Sequence, residues 1–169
     1  MFMHDRKPTL DDIARLVSVT TGPLDPAGAY RALDEIVAQR YGHKLFTLFR
    51  FIEKDMEIER LHSSNLDAYP LLGRKKKQDT VWGETVLDRG EVLISRNRDD
   101  IRNNFTDFAT IFDLGIGGMI NVPLIWNGSV IGSVNISHDE GRFTAADSGY
   151  LKMLAGIVAP VVAATFRPA

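Results

Sequence analysis

The alternation of apolar and polar positions divides the chain into two helices, a strand pair, a mixed middle, a second strand pair and one long helix. Leu10, Ile13, Leu16 and Val17 fall on one helical face, starting just after Thr9. Thr9 and Asp12 have the spacing of a capping box, in which each side chain accepts from the other residue's backbone N–H. Gly22-Pro23 ends that helix. A second helix takes Asp25 as its N-cap and Pro26 at its first position, where a missing N–H costs nothing. Its apolar stripe is Tyr30, Leu33, Ile36, Val37 and Tyr41, and Gly42 stops it.

The run Leu45–Ile52 is rich in aromatic and branched residues and predicts a mostly buried strand. After a turn at Lys54-Asp55, residues 57–64 return as a more polar partner with one face open to water. Ile58, His62 and Ser64 are expected on one face, Glu57, Glu59, Leu61 and Ser63 on the other. Residues 66–79 read as a loop. A short helix is expected between Thr80 as cap and Gly90 as stop, then a strand over 92–95. Asp99 and Thr106 look like N-caps, and Phe105, Phe108, Ile111 and Phe112 cluster at helical spacing before Gly115.

The second strand pair is the clearest local signal. Residues 119–126 and 129–137 flank Asn127-Gly128, which supplies the two positive φ values of a type I′ turn. Uninterrupted pairing outward from that turn sets Asn121 opposite Val134 and Asn135 opposite Ile120. Asn121 then shares a face with Met119, Ile125, Val134 and Ile136, and Asn135 shares the other with Val122, Leu124 and Ile131. Both faces are largely apolar, which predicts a central strand pair covered on both sides. The last helix runs from Thr144 as cap to about Phe166. It carries one stripe of Leu151, Leu154, Val158, Val161 and Val162 and another of Tyr150, Met153, Ile157 and Ala164. Two stripes need two partners: the sheet, and a helix of this chain or of a second copy. Pro160 is expected to bend this helix.

Composition narrows the function classes. At 169 residues, with 44% apolar and 25% charged residues, the chain has the make-up of one globular domain and not of a disordered segment. A net charge of −2 provides no overall basic field for nucleic acid or an anionic membrane, so neither is an expected partner. The longest apolar run, residues 153–164, falls short of the roughly 20 that a membrane span needs. There is no cysteine, which removes disulfides, thiolate metal sites and cysteine nucleophiles together. With no targeting signal either, a cytoplasmic location is the expectation. His4, His43, His62 and His138 lack metal-ligand spacing, so no metal site is assigned. Gly115-Ile116-Gly117-Gly118 precedes a strand instead of following one, which defeats the dinucleotide-loop logic. Val130 stands where a nucleophile elbow between Gly128 and Gly132 requires serine. No catalytic residue is assigned.

The strand ending in Val122-Pro123-Leu124, the turn Asn127-Gly128 and the following Val130-Ile131-Gly132 resemble the hallmark hairpin of GAF domains. Phe143, Thr144 and Asp147, followed by Leu151, Leu154 and Ala155, resemble the way that family begins its last helix, and Trp82-Gly83 with Gly90-Glu91-Val92 fits its middle. The match covers about residues 25–166, as in a standalone GAF protein, and sets residues 1–24 apart as an N-terminal helix and connector before a GAF-like domain over 25–169. The resemblance implies an α+β fold: a GAF-like (profilin/PAS-related) central antiparallel sheet, terminal helices on one face, and loops and short helices roofing a pocket on the other. It also implies a sensory, small-molecule-binding module that forms a homodimer through its terminal helices. The family's methionine sulfoxide reductases and bilin-attached photoreceptors depend on cysteines that this chain lacks. Its cyclic-nucleotide signature places Asp-Glu where this chain has Ala109-Thr110 after Phe105.

The ligand-binding candidates are the apolar cluster Trp82, Phe105, Phe108, Phe112 and Met119, with Asn121 and Arg96 as polar groups. The competing reading has the aromatics filling the space under a long loop. A side-chain amide on an apolar strand face must find partners, and a ligand, a trapped water or a loop carbonyl would each serve Asn121. Arg50 interrupts its strand face and is expected to pair with a carboxylate rather than an anionic ligand. Arg98 and the run from Arg74 to Lys77 read as solvated surface. The ligand and any cofactor are not named by these residues. The alternatives are an interaction or dimerisation module with a filled pocket, and an enzyme with a dispersed active site drawing on His62 and His138.

Overall fold

A computed structural model describes residues 6–71 and 73–166, and His4 lies outside them. Helix α1 (Leu10–Thr21) starts on the capping box of Thr9 and Asp12, and α2 (Pro26–Tyr41) on the Asp25 cap with proline in its first turn. Gly42, at φ 63°, turns the chain out of α2. Strands β1 (Leu45–Ile52) and β2 (Glu57–Ser63) follow. Within the expected loop, Lys75–Lys76 add a two-residue strand, β3, to the outer edge of β2. Its lysines are exposed, as suits an edge.

The expected middle helix begins at Val81 and Trp82 and continues as a π-helical segment, Gly83–Asp88, that stops before Gly90 at φ 65°. Strand β4 is Leu93–Ser95. The next two caps differ from expectation by one or two residues. Asn97 caps α3 (Arg98–Asn104) by accepting from the Asp100 N–H, and Asp107 precedes α4 (Phe108–Asp113) without a side-chain cap. Asp99 and Thr106 are therefore not the caps. Strands β5 (Gly118–Trp126) and β6 (Ser129–His138) and helix α5 (Ala145–Ala164) complete the chain.

Among the described residues the strands form one antiparallel sheet in the order β3-β2-β1-β6-β5-β4. The Asn-Gly hairpin thus lies inside the sheet, as expected. Its register does not follow the expected pattern. Trp126 pairs with Ser129 and Ile125 with Val130, but the register then shifts, Ile131 is passed over, and Leu124 pairs with Gly132. Asn121 consequently faces Asn135 and not Val134, and Val134 and Ile136 move to the other face. A one-residue bulge is enough, because side chains alternate with period two. A second shift, between Leu48 and Phe49, pairs Leu48 with His62 and Phe49 with Arg60. It separates His62 from Ile58, which were expected to share a face.

The two sheet faces now differ in chemistry. Phe46, Leu48, Ile120, Val122, Leu124, Val134 and Ile136 point to one side and join α2 and α5 in the main core. Each such side chain contributes on the order of 1.5–3 kcal/mol by its burial. The other side carries Thr47, Asn121, Asn135 and Ser137, so it is not the second apolar face that unbroken pairing implied. Helix α5 is long and apolar enough, by length and composition alone, to cross a membrane. It continues past Pro160 and packs its Leu151, Leu154, Val158 and Val162 into the core, with α1 and α2 beside it.

On the helix side, Arg50 makes the carboxylate pair that was expected. Its Nε and Nη2 both donate to Glu59, and Nη1 donates to the Thr165 carbonyl at 2.9 Å. Asp34 of α2 is held by His43 Nε2 at 2.6 Å and His62 Nε2 at 2.7 Å. Burial pushes the Asp34 carboxyl up, but hydrogen bonds from the two imidazoles overcome this and hold it below the ordinary carboxylate value.

Candidate binding cavity

The polar sheet face is the floor of a cavity of about 250 Å³. Three strands contribute a ladder of side chains. Asn121 Nδ2 donates to Asn135 Oδ1 at 2.8 Å, Ser133 Oγ donates to the same oxygen at 3.2 Å, and Asn135 Nδ2 donates to Thr47 Oγ1 at 3.3 Å. The ladder exists only because the bulge at Ile131 brings Asn121 and Asn135 face to face. Gly132 makes the adjoining close approach of β6 to β1 possible, since a Cβ there would lie 2.0 Å from the Phe49 carbonyl oxygen.

Aromatic rings build the walls. Trp82, at the start of the middle helix, lies 6.1 Å from Phe49 and 6.3 Å from Phe105, centroid to centroid. Arg60 of β2 is clasped between the rings of Phe49 and Tyr69, 5.0 Å from each centroid. The Tyr69 hydroxyl donates to Asp107 Oδ2 at 3.2 Å, tying the loop after β2 to the start of α4 across the cavity mouth. Burial, helped by Asp107, pushes the Tyr69 phenol well up, so it stays protonated at neutral pH. Burial lowers the Arg60 guanidinium from its ordinary value, with Tyr69 and Asp107 acting in the opposite direction.

Five buried side-chain polar atoms among the described residues have no hydrogen-bond partner, and three belong to residues that line this cavity: Arg60 Nε, Trp82 Nε1 and Asn121 Oδ1. Each is covered by neighbouring side chains, and each costs about 1–3 kcal/mol while unpaired. A buried polar atom of this kind is completed by a further partner, an ordered water or a bound group.

Of the residues named from sequence, Trp82, Phe105, Met119 and Asn121 come together at this cavity. Phe108 and Phe112 lie 5.9 Å apart with their rings tilted at 51°, beneath the guanidinium of Arg102, and do not line it. Arg96 is exposed and also lies elsewhere, its backbone N–H bonded to Asp100 Oδ2 at 2.8 Å. Arg98 rests over the Phe112 ring. Phe105, Phe108 and Phe112 all pack on the apolar cluster around Met119 and Ile111, but only Phe105, at the end of α3, reaches the cavity, while Phe108 and Phe112 belong to α4. Phe49, Arg60, Tyr69 and Thr47 line the cavity without having been singled out, and Lys75, read as solvated loop, reaches it from β3. The signal for Arg60 was its place two residues from Ile58, on the same face of β2 and ahead of the bulge. His62 is on the opposite face with Asp34, and His138 lies at the end of β6.

A family model described as the GAF domain matches residues 9–163. Comparison with curated proteins by sequence finds no match. Among solved structures, the chain is similar to the GAF domain of an Acinetobacter phosphoenolpyruvate-protein phosphotransferase, with a TM-score of 0.73, 17% identity and coverage of 95% of this chain and 97% of that one. It is similar to the corresponding GAF domain from Coxiella burnetii, with a TM-score of 0.71, 16% identity and 92% of each chain covered. It is also similar to the free methionine-R-sulfoxide reductase from Neisseria meningitidis in complex with its substrate, with a TM-score of 0.71, 17% identity and coverage of 90% and 87%. At these identities the likeness is one of fold.

Proposed function

The chain belongs to the GAF domain family, and on that premise we propose that it is a sensory module binding a small molecule in the cavity over the Asn121–Asn135–Thr47 ladder. The observation that carries this reading is that three residues lining one cavity hold unpaired buried polar atoms: two donors, Arg60 Nε and Trp82 Nε1, and one acceptor, Asn121 Oδ1. A ligand offering matching groups relieves all three once the covering side chains shift. The aromatic walls supply the apolar remainder that small-molecule sites use. A protein of the same fold, the Neisseria reductase, is known with its substrate bound. The open space favours ligand binding over the filled pocket of an interaction module.

Occupancy would shift the segment that Tyr69 ties to α4 and pass through β5 and β6 to the terminal helices. Self-association through those helices belongs to the same reading. It is supported by Leu10, Val17 and Met153, which stay 82%, 40% and 40% exposed. Thermal denaturation across a broad metabolite library tests the binding: a shift with at least one compound is expected, and none across the library refutes it. Sedimentation at micromolar concentration tests the dimer, and a monomer there removes that part.

A further inference from the structure

Arg60 differs from Arg50 in what its guanidinium meets. Arg50 presents its Nε/Nη2 edge to the Glu59 carboxylate. In Arg60 the Nε of that edge is buried and unpaired under side chains that a ligand must displace, and Nη2 makes no hydrogen bond among the described residues, while Nη1 is fixed by the Pro70 carbonyl at 2.7 Å and the plane is held between two aromatic rings. That edge is the one on which carboxylates bind with two parallel hydrogen bonds.

The charges around the cavity point the same way. Its wall carries the cations Arg60, Lys75 and Lys76 and one anion, Asp107. Asp107 already accepts from Tyr69, and Lys76 already faces Glu57 at 3.1 Å. The neighbouring cations Arg74 and Lys77, outside or at the rim of this charge group, also have carboxylate partners, in Asp55, Glu59 and Asp88. Among the described residues, the ion pairs of this region engage Arg74, Lys76 and Lys77 and not Arg60 or Lys75, although Asp107 is near enough to act on the Arg60 charge.

Size and shape set the rest of the ligand. A cavity of about 150 Å³ holds benzene, so 250 Å³ holds about ten non-hydrogen atoms. The flat rings of Phe49, Trp82 and Phe105 suit a planar group. We propose that this cavity takes a small planar-ring carboxylate whose carboxylate pairs with the Nε/Nη2 edge of Arg60. The inference rests on the small-molecule reading above and adds to it the class of ligand.

The test uses the full chain labelled with nitrogen-15. It has two indole N–H signals, from Trp82 and Trp126, told apart by Trp126→Phe at the exposed hairpin end. The probes are benzoate, nicotinate and 4-hydroxybenzoate, each beside its neutral amide, with inorganic phosphate as a further anion. At least one carboxylate is expected to move the Trp82 signal with a Kd about tenfold or more below that of its amide. Arg60→Gln is expected to bring the two together, and Arg60→Lys to fall between. If Arg60→Gln does not fold, the carboxylate-to-amide ratio in the unaltered chain decides. Amides binding as tightly as their acids overturn the carboxylate assignment and leave the small-molecule reading standing. So does phosphate moving Trp82 as strongly as the ring carboxylates. Failure of every probe at millimolar concentration overturns the assignment, and the library screen then decides separately whether the broader reading falls.

Discussion

Replacing Asn121 by leucine separates stability from binding. Asn121 is fully buried and has one hydrogen bond, to Asn135, while its Oδ1 has none. Leucine removes an unpaired buried acceptor worth about 1–3 kcal/mol and forfeits a hydrogen bond worth about 0.5–1.5 kcal/mol. Asn135 Oδ1 keeps the Ser133 hydroxyl as donor, so no new orphan is made. The larger side chain has room, since Asn121 borders the cavity. The balance is a gain of about 1 kcal/mol, or roughly 2–4 °C in Tm for a domain of this size. Ligand-induced stabilisation should vanish in the same variant, because the unpaired acceptor that the floor offers is gone. Differential scanning calorimetry with and without ligand reads both effects. A loss of more than about 1 kcal/mol with ligand response intact would show that Oδ1 is already satisfied, and would refute the reasoning.

Gly132→Ala should destabilise by about 1–3 kcal/mol in urea titrations, because its Cβ would sit 2.0 Å from the Phe49 carbonyl and force β6 away from β1. An unchanged midpoint would mean that the strands separate there without cost. Asp34→Ala should cost about 2 kcal/mol at neutral pH through its two imidazole hydrogen bonds. The folded-state pKa of Asp34 is depressed, so its contribution is complete above the ordinary value of 3.8 and is lost as pH falls through the folded value. Stability curves of the two proteins should therefore converge in acid below that value, and a gap that widens there would contradict the sign. Thr9→Ala removes the donor-satisfying hydroxyl of the α1 capping box and should lower stability by about 1 kcal/mol, seen in thermal melts.

Local signals in this chain are explicit. Thr9 with Asp12, Asp25 with Pro26, Asn127-Gly128 and Thr144 with Asp147 mark where elements begin or turn, and each acts over three residues or fewer in hydrogen-bonding terms. The element order and the placing of the second hairpin inside the sheet follow from them. Strand register is different, because it depends on tertiary fit. The bulges at Ile131 and Leu61 have no local mark beyond Gly132, yet each inverts every side chain beyond it. The Asn121–Asn135 pair was hidden for that reason, whereas Arg60, ahead of the bulge at Leu61, keeps the face that it shares with Ile58. Trp82, Phe105 and Met119 were legible because bulky apolar side chains between short elements must be buried somewhere. Phe108 and Phe112 join the apolar cluster around Met119 but not the cavity lining, because the helical spacing spans two helices, α3 and α4, separated by Phe105, Thr106 and Asp107.

The most direct test is a crystal structure of the protein with the tightest compound from the ligand screen. The account predicts density in the cavity over the asparagine ladder, within hydrogen-bond distance of Asn121 Oδ1 and of at least one of Trp82 Nε1 and Arg60 Nε. Ordered waters satisfying all three atoms, with the compound bound on another surface, would contradict it.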